Sequence, residues 1–183
     1  MATDRVEFFL KFLTQPGKIG SITPSSTRLT KRMMANLPWE QMRLIVELGA
    51  GTGVFTSYIA NRVHNDCSVL VFEQNKEMRE ALQARYPAFF YASQAQTLSR
   101  QRQELCLPKA DCVVSGLPFA TFPGVLRARI IRQVYDNLAN DGMFVAFQYS
   151  PLISGLLKRC FSRVETGFVL RNMPPAFVYL CRK

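Results

Sequence analysis

The sequence is poor in soft metal ligands. It has one histidine, His64, and five cysteines (67, 106, 112, 160 and 181) with no C-x-x-C pair. Zinc draws its ligands from such residues at short, paired spacings, so no metal site is expected. An odd cysteine count without pairing argues against a disulfide framework, and a reducing cytoplasm is the simplest home. No apolar run approaches the roughly 18 residues of a membrane span. The N-terminus holds Asp4 and Glu7 and lacks a small-residue cleavage site, so no secretory signal is expected. Repeats and low-complexity tracts are absent. What is left is an ordinary composition, 48% hydrophobic over 183 residues. That is enough for one domain, 1–183, with a full core.

Acidic residues are the other shortage: 13 Asp or Glu face 23 Lys or Arg, for a net charge of +10. The excess lies at the ends. Residues 1–43 hold seven bases and three acids, and residues 151–183 hold six and one, while the middle, 44–150, holds ten and nine. A near-neutral middle between basic flanks predicts attraction to a polyanion, either an anionic membrane surface or nucleic acid.

Within that middle, residues 43–56 organise the chain. Leu44, Ile45 and Val46 read as a buried parallel strand. Gly49, Gly51 and Gly53 then alternate with small residues, and Thr52 or Thr56 can cap a helix from Val54 to Asn61. Glycine permits a tight turn and leaves no Cβ between backbone and ligand. A strand, glycine turn and helix of this kind hold an adenosine-containing cofactor at the edge of a sheet. Val54 stands where a dinucleotide fingerprint needs its third glycine, and no Lys-Ser or Lys-Thr follows to make a P-loop. The string E-x-G-x-G-x-G instead resembles the first motif of the S-adenosyl-L-methionine-dependent methyltransferases. Glu47 then suits the cofactor's ammonium. A second strand, Ser68 to Phe72, leads to Glu73 and Gln74, and a carboxylate at Glu73 suits two ribose hydroxyls, because an ionised carboxylate only accepts hydrogen bonds.

Before this unit, Thr3 to Thr14 read as a helix with acids in its first turn. At about 100° per residue, its apolar side chains cover roughly 200°. Two readings follow: burial on two sides, or an interfacial membrane anchor. A loop at 17–26 precedes a helix capped by Ser25 or Ser26 and running to Leu37. Residues 1–37 are thus expected as an N-terminal helical cap, with membrane contact as the alternative. Beyond Glu73 the pattern predicts a helix Asn75–Tyr86, strand Ala88–Ala92, helix Ala95–Gln103 and strand Asp111–Ser115. A helix Val125–Leu138, a turn at Asp141-Gly142 and a strand Met143–Tyr149 follow. Two last strands, about Phe161–Leu170 and Ala176–Cys181, suit an antiparallel C-terminal hairpin. The fold class is α/β, three-layered and doubly wound, with a mostly parallel seven-stranded sheet. Ligands in such sheets lie beyond the carboxyl ends of the strands, where Gly49, Glu73, Ser93, Ser115 and Tyr149 fall.

The loop 17–26, the glycine motif 47–56, Val114-Ser115-Gly116-Leu117-Pro118 and Arg171–Ala176 occur in an order that resembles the bacterial phospholipid N-methyltransferases. That family methylates phosphatidylethanolamine, and related members methylate ornithine lipids. The resemblance implies S-adenosyl-L-methionine as cofactor, an amine-headgroup lipid as acceptor, and peripheral attachment to the inner face of the membrane. Where the family shows Gly-Asp-Ala, this chain has Ala92-Ser93-Gln94-Ala95. Either Ser93 or Gln94 then supplies the hydrogen bond to the adenine amine, or cofactor affinity is reduced. The alternatives are a methyltransferase of another small amine or protein acceptor, and an rRNA adenine N6-methyltransferase, whose Asn-Leu-Pro-Tyr motif looks like Ser115 to Phe119. Here Gly116 stands at the Asn position, and the helical RNA-gripping domain of that family is not in the sequence. For the methyl transfer, Tyr149 is the residue expected to receive or orient the amine proton, with Ser115 beside it. Leu117, Pro118 and Phe119 are expected to shape the acceptor pocket, while His64 is expected at the surface, away from the strand tips.

Overall fold

A computed structural model describes residues 24–170 and 175–183. The helix expected at Thr3–Thr14, most of the loop 17–26 and most of the Arg171–Ala176 motif lie outside them. The elements in chain order are α1 (Pro24–Met34), β1 (Leu44–Leu48), α2 (Val54–Ala60), β2 (Ser68–Phe72), α3 (Lys76–Arg85) and β3 (Phe90–Ala92). Then come α4 (Leu98–Glu104), β4 (Ala110–Ser115), α5 (Gly124–Asn137), β5 (Leu138–Gln148), α6 (Ser154–Cys160), β6 (Arg163–Val169) and β7 (Ala176–Arg182).

The strands form one sheet in the order β3-β2-β1-β4-β5-β7-β6, parallel except for β7, which pairs antiparallel with both β5 and β6. Every residue of β1 is buried, which is why Leu44, Ile45 and Val46 read as a continuous apolar run rather than an alternation. Ile45, Val69, Val71, Val114 and Val145 face Leu29, Met33, Phe55, Ile59 and Leu82 of α1, α2 and α3. Leu44, Val46, Leu70, Val113, Phe144 and Tyr179 face Leu98, Ile130, Ile131, Val134 and Leu157 of α4, α5 and α6. The chain order reverses between β1 and β4, and it is there that an open α/β sheet leaves a crevice.

Several boundaries differ from the sequence expectation. α1 stops at Met34, because the Leu37 N–H and the Trp39 indole both donate to the Met34 carbonyl, at 3.4 and 3.2 Å. Gly53, not Thr52 or Thr56, occupies the N-cap of α2. The helix expected from Ala95 begins as a 3-10 turn, Ala95–Thr97, fixed by the Thr97 hydroxyl donating to the Gln94 carbonyl at 2.7 Å. Asp141-Gly142 does not end a connection. Asp141 adopts φ 61° inside a bulge, after which β5 resumes its pairing with β4 at Met143. Tyr149 lies one residue past the end of β5. α6 was not expected at all. His64 is half-buried at the amino edge of the sheet, where its Nε2 lies 2.8 Å from the Met42 carbonyl oxygen.

Candidate active site

The glycine turn after β1 is held on three sides. Gly49 and Ala50 both donate to the Phe72 carbonyl, at 2.8 and 3.2 Å, which fastens the turn to the end of β2. Gly49, Gly51 and Gly53 have φ of 76°, 55° and 84°, the left-handed region in which a Cβ is strained. Space is short as well. A Cβ on Gly53 would stand 2.4 Å from Leu82 Cδ2 of α3, and one on Gly49 would stand 2.8 Å from Leu117 Cδ2. The turn therefore sits directly between α3 and the loop that follows β4.

Two carboxyl groups flank it. Alternation along β1 puts Glu47 on the same face as Ile45. There Glu47 is wholly buried, and its Oε2 accepts from the Thr56 hydroxyl at 2.8 Å. Its other oxygen, Oε1, is buried with no hydrogen-bond partner among the described residues. Burial, opposed by the Thr56 hydrogen bonds and reinforced by the nearby Glu73 charge, pushes the Glu47 pKa up to about 8. Glu73 is half-buried at the end of β2 and accepts from the Gly51 N–H at 2.7 Å and the Asn75 N–H at 2.8 Å, one on each oxygen. A carboxylate has about four acceptor positions, so two remain open. Arg79 of α3 fixes this corner by donating to the Glu73 carbonyl at 2.7 Å, while the Gln74 side chain is exposed next to it. Ser93 and Gln94 are exposed at the end of β3, and Gln94 Oε1 accepts from Gln96 at 3.3 Å.

The loop after β4 meets the turn face to face. The Gly116 N–H donates to the Leu48 carbonyl at 2.9 Å, and a Cβ on Gly116 would lie 2.8 Å from the Gly49 carbonyl oxygen. Ser115 is buried, and its hydroxyl oxygen accepts from the Leu117 N–H at 3.2 Å, which shapes the bend. Leu117 and Pro118 are half-buried. Phe119 is wholly buried, edge-on to Phe122 and Phe144, so its ring belongs to the core behind the loop. Tyr149 is half-buried, edge-on to Phe147 at 5.6 Å, and Phe147 is in turn edge-on to Phe55 of α2 at 5.9 Å.

Sequence reasoning missed four participants: Thr56 as the partner of Glu47, Arg79, the aromatic wall of Phe55 and Phe147, and Gln148. Gln148 is buried at the end of β5, and its Nε2 donates to the Leu117 carbonyl at 2.8 Å and the Phe147 carbonyl at 2.5 Å. A polar residue closing a buried strand was the signal for it; nothing in the sequence marks Arg79. Among the described residues no group of three or more His, Cys, Asp or Glu could hold a metal.

An unsatisfied carboxyl oxygen, a carboxylate with two open acceptor positions and a closely approachable backbone turn are complementary to a group that carries an ammonium and two adjacent hydroxyls. S-adenosyl-L-methionine is such a group, and these residues fit it. The comparisons agree. A family model described as a methyltransferase domain matches residues 45–142. The ornithine lipid N-methyltransferase of Singulisphaera acidiphila is 39% identical over 96% of this chain and 96% of its own. Among solved structures, the Burkholderia thailandensis 1,6-didemethyltoxoflavin-N1-methyltransferase, with bound S-adenosylhomocysteine, superposes with a TM-score of 0.71 at 14% identity, covering 100% of this chain and 88% of that one. TrmN from Thermus thermophilus gives 0.66 at 16% identity over 94% of this chain, which spans about half, 53%, of its length. The chain thus belongs to the S-adenosyl-L-methionine-dependent methyltransferases, in the same family as the ornithine lipid N-methyltransferase it resembles along nearly its whole length.

Proposed function

We propose that this enzyme methylates the amine headgroup of a membrane lipid of the ornithine-lipid or phosphatidylethanolamine kind, while peripherally attached to an anionic membrane surface. The observation that carries the reading is the 39% identity to a lipid N-methyltransferase over 96% of both chains. When bound, S-adenosyl-L-methionine supplies an electrophilic methyl group on a sulfonium sulfur. Glu47 receives the cofactor's ammonium at its unpartnered oxygen, the backbone of Gly49, Gly51 and Gly53 allows close approach, and Glu73 accepts from the ribose hydroxyls with Gln74 beside it. Ser93 or Gln94 accepts from the adenine amine.

The acceptor amine enters over Leu117 and Pro118, backed by Phe119. An alkylamine with an aqueous pKa of roughly 10 must first lose a proton, and removal from water lowers that pKa. The Tyr149 hydroxyl oxygen accepts from the amine N–H and so aims the nitrogen lone pair, with Ser115 shaping the loop below it. The half-buried Tyr149 ring, backed by Phe147 and through it Phe55, would offer an aromatic surface to the positive charge of the bound sulfonium. The rate gain comes from holding nucleophile and methyl in line in a site shielded from water.

The test is transfer of labelled methyl from the cofactor to extractable lipid in anionic vesicles containing either amine lipid. Label in ribosomal RNA and none in lipid would move the assignment to nucleic acid. Cofactor binding without any incorporation would reduce the chain to a binding protein. Deleting residues 1–14 should weaken vesicle sedimentation more than cofactor binding; equal loss of both would make that segment part of the core.

A further inference from the structure

Five large apolar side chains are exposed among the described residues, and four of them gather at one place; the fifth, Phe90, is on β3 at the far edge of the sheet. Val125 is 84% exposed, Leu170 73%, Leu152 53% and Phe168 52%. Val125 lies in the first turn of α5, just after the loop that leaves β4, and Leu152 lies in the connection that leaves β5. β5 and β6 both run antiparallel to β7, so β6 ends at the same edge as β5, and Phe168 and Leu170 stand at that end. All four therefore share the carboxyl edge of the β4–β6 half, the edge that carries the Ser115–Pro118 loop and Tyr149. Phe168 touches Phe177 ring to ring at 4.9 Å, and Phe177 of β7 is the register partner of Gln148 at the end of β5, so this end of β6 lies two strands from the site.

Charge divides the same way. The acids that follow Ser115 in sequence are Asp136, Asp141 and Glu165. Each sits toward the opposite, amino edge: in the last turn of α5, early in β5 and near the start of β6. Residues 115–129, 148–157, 167–170 and 175–178, which reach the carboxyl edge, contain no Asp or Glu. Arg129 is exposed one turn beyond Val125 on the same side of α5, whereas the Arg127 guanidinium turns back and donates to the Phe122 carbonyl at 3.0 Å. Single exposed apolar residues are ordinary; their convergence on one carboxylate-free face is not. The headgroup boundary of an anionic bilayer suits such a face, because apolar side chains sink into it and guanidinium groups meet its phosphates.

We infer that the carboxyl edge of the β4–β6 half, through Val125, Leu152, Phe168 and Leu170, seats directly on an anionic membrane, so that a headgroup reaches the site without its lipid leaving the bilayer. This rests on the lipid reading above and adds a docking surface separate from residues 1–37. The test uses the full chain and vesicles of phosphatidylglycerol and phosphatidylcholine, which contain no amine acceptor. A V125S/L152S/L170S variant should lose roughly thirtyfold in vesicle partitioning, about threefold per side chain, while its calorimetric affinity for S-adenosylhomocysteine stays unchanged. Phe90→Ser, on β3 at the far edge of the sheet, should sediment like the parent. Leu152→Trp should shift its emission to the blue on vesicle addition and be quenched by brominated lipid. Unchanged partitioning of the triple variant, an equal loss for Phe90→Ser, or an unmoved tryptophan spectrum would each overturn the inference. If the triple variant loses partitioning although no amine lipid is ever methylated, the docking surface stands and the substrate reading falls.

Discussion

Glu47 is the residue whose chemistry is most exposed to test. Its carboxyl pKa is about 8, against an ordinary 4.5, so at neutral pH it holds a proton in the folded, ligand-free protein. Below about 4.5 the folded and unfolded states are both protonated; between there and 8 only the unfolded state sheds its proton, so stability falls across that window and then levels. Thermal denaturation from pH 5 to 8 should show this decline, and Glu47→Gln should flatten it. An ammonium placed at Oε1 favours the ionised form. Cofactor binding near pH 7 should therefore release roughly one proton, read by calorimetry in two buffers of different ionisation enthalpy. Glu47→Gln should abolish that release and weaken binding by about tenfold or more. Gln148 makes a second test. Both partners of its Nε2 are carbonyl oxygens, so the nitrogen must face them. Gln148→Leu leaves both without that donor, at a cost of about 1–3 kcal/mol. It should lower kcat by roughly tenfold or more through a misplaced loop, with cofactor affinity nearly unchanged.

At the scale of elements, the two glycine segments at the candidate site are packed backbone to backbone. Gly116→Ala would put a Cβ 2.8 Å from the Gly49 carbonyl oxygen, an atom that cannot swing aside. Cofactor Kd and acceptor KM should therefore rise together. Gly124, with nothing within 4 Å of its added Cβ, should accept Ala with a neutral effect or a gain of up to about 1 kcal/mol; equal damage at both positions would remove the steric account. At the amino edge, the Asp111 carboxylate accepts from the N–H groups of Arg43 and Leu44 at 2.7 and 3.0 Å and locks the entry of β1 to β4. Asp111→Ala should cost about 1–3 kcal/mol by denaturant titration, with turnover at low temperature intact. β1 and α2 were legible in sequence because the Leu44–Val46 run of a doubly buried strand is apolar and a glycine turn is distinctive. α6 was not, since seven residues are too few to form a helix by propensity alone. It is helical because Ile153 and Leu157 are buried against the sheet. Asp141-Gly142 has the chemistry of a turn, yet the Leu138–Ala110 pairing on its near side and the Met143–Cys112 pairing on its far side turn it into a bulge.

At the scale of the whole molecule, a net positive charge and an exposed apolar edge in the β4–β6 half bring two forces to a membrane, and these should separate by salt. Added salt screens the attraction of a +10 chain to anionic vesicles but leaves apolar insertion. Raising ionic strength from about 0.05 to about 0.5 M should weaken vesicle binding severalfold without abolishing it, as followed by sedimentation; complete loss would mean that insertion contributes nothing. By itself the sequence determined the alternation of strands and helices, the glycine turn and the two carboxylates near it, because strand burial, turn geometry and helix spacing are local properties of neighbouring residues. Tertiary structure alone decided that Thr56 satisfies only one oxygen of Glu47, that Gln148 grips the loop after β4, and that exposed apolar residues far apart in the chain share one edge. The first depends on how α2 packs back onto β1, and the other two on the strand order β1-β4-β5-β7-β6, which brings together segments distant in sequence; no local pattern encodes either.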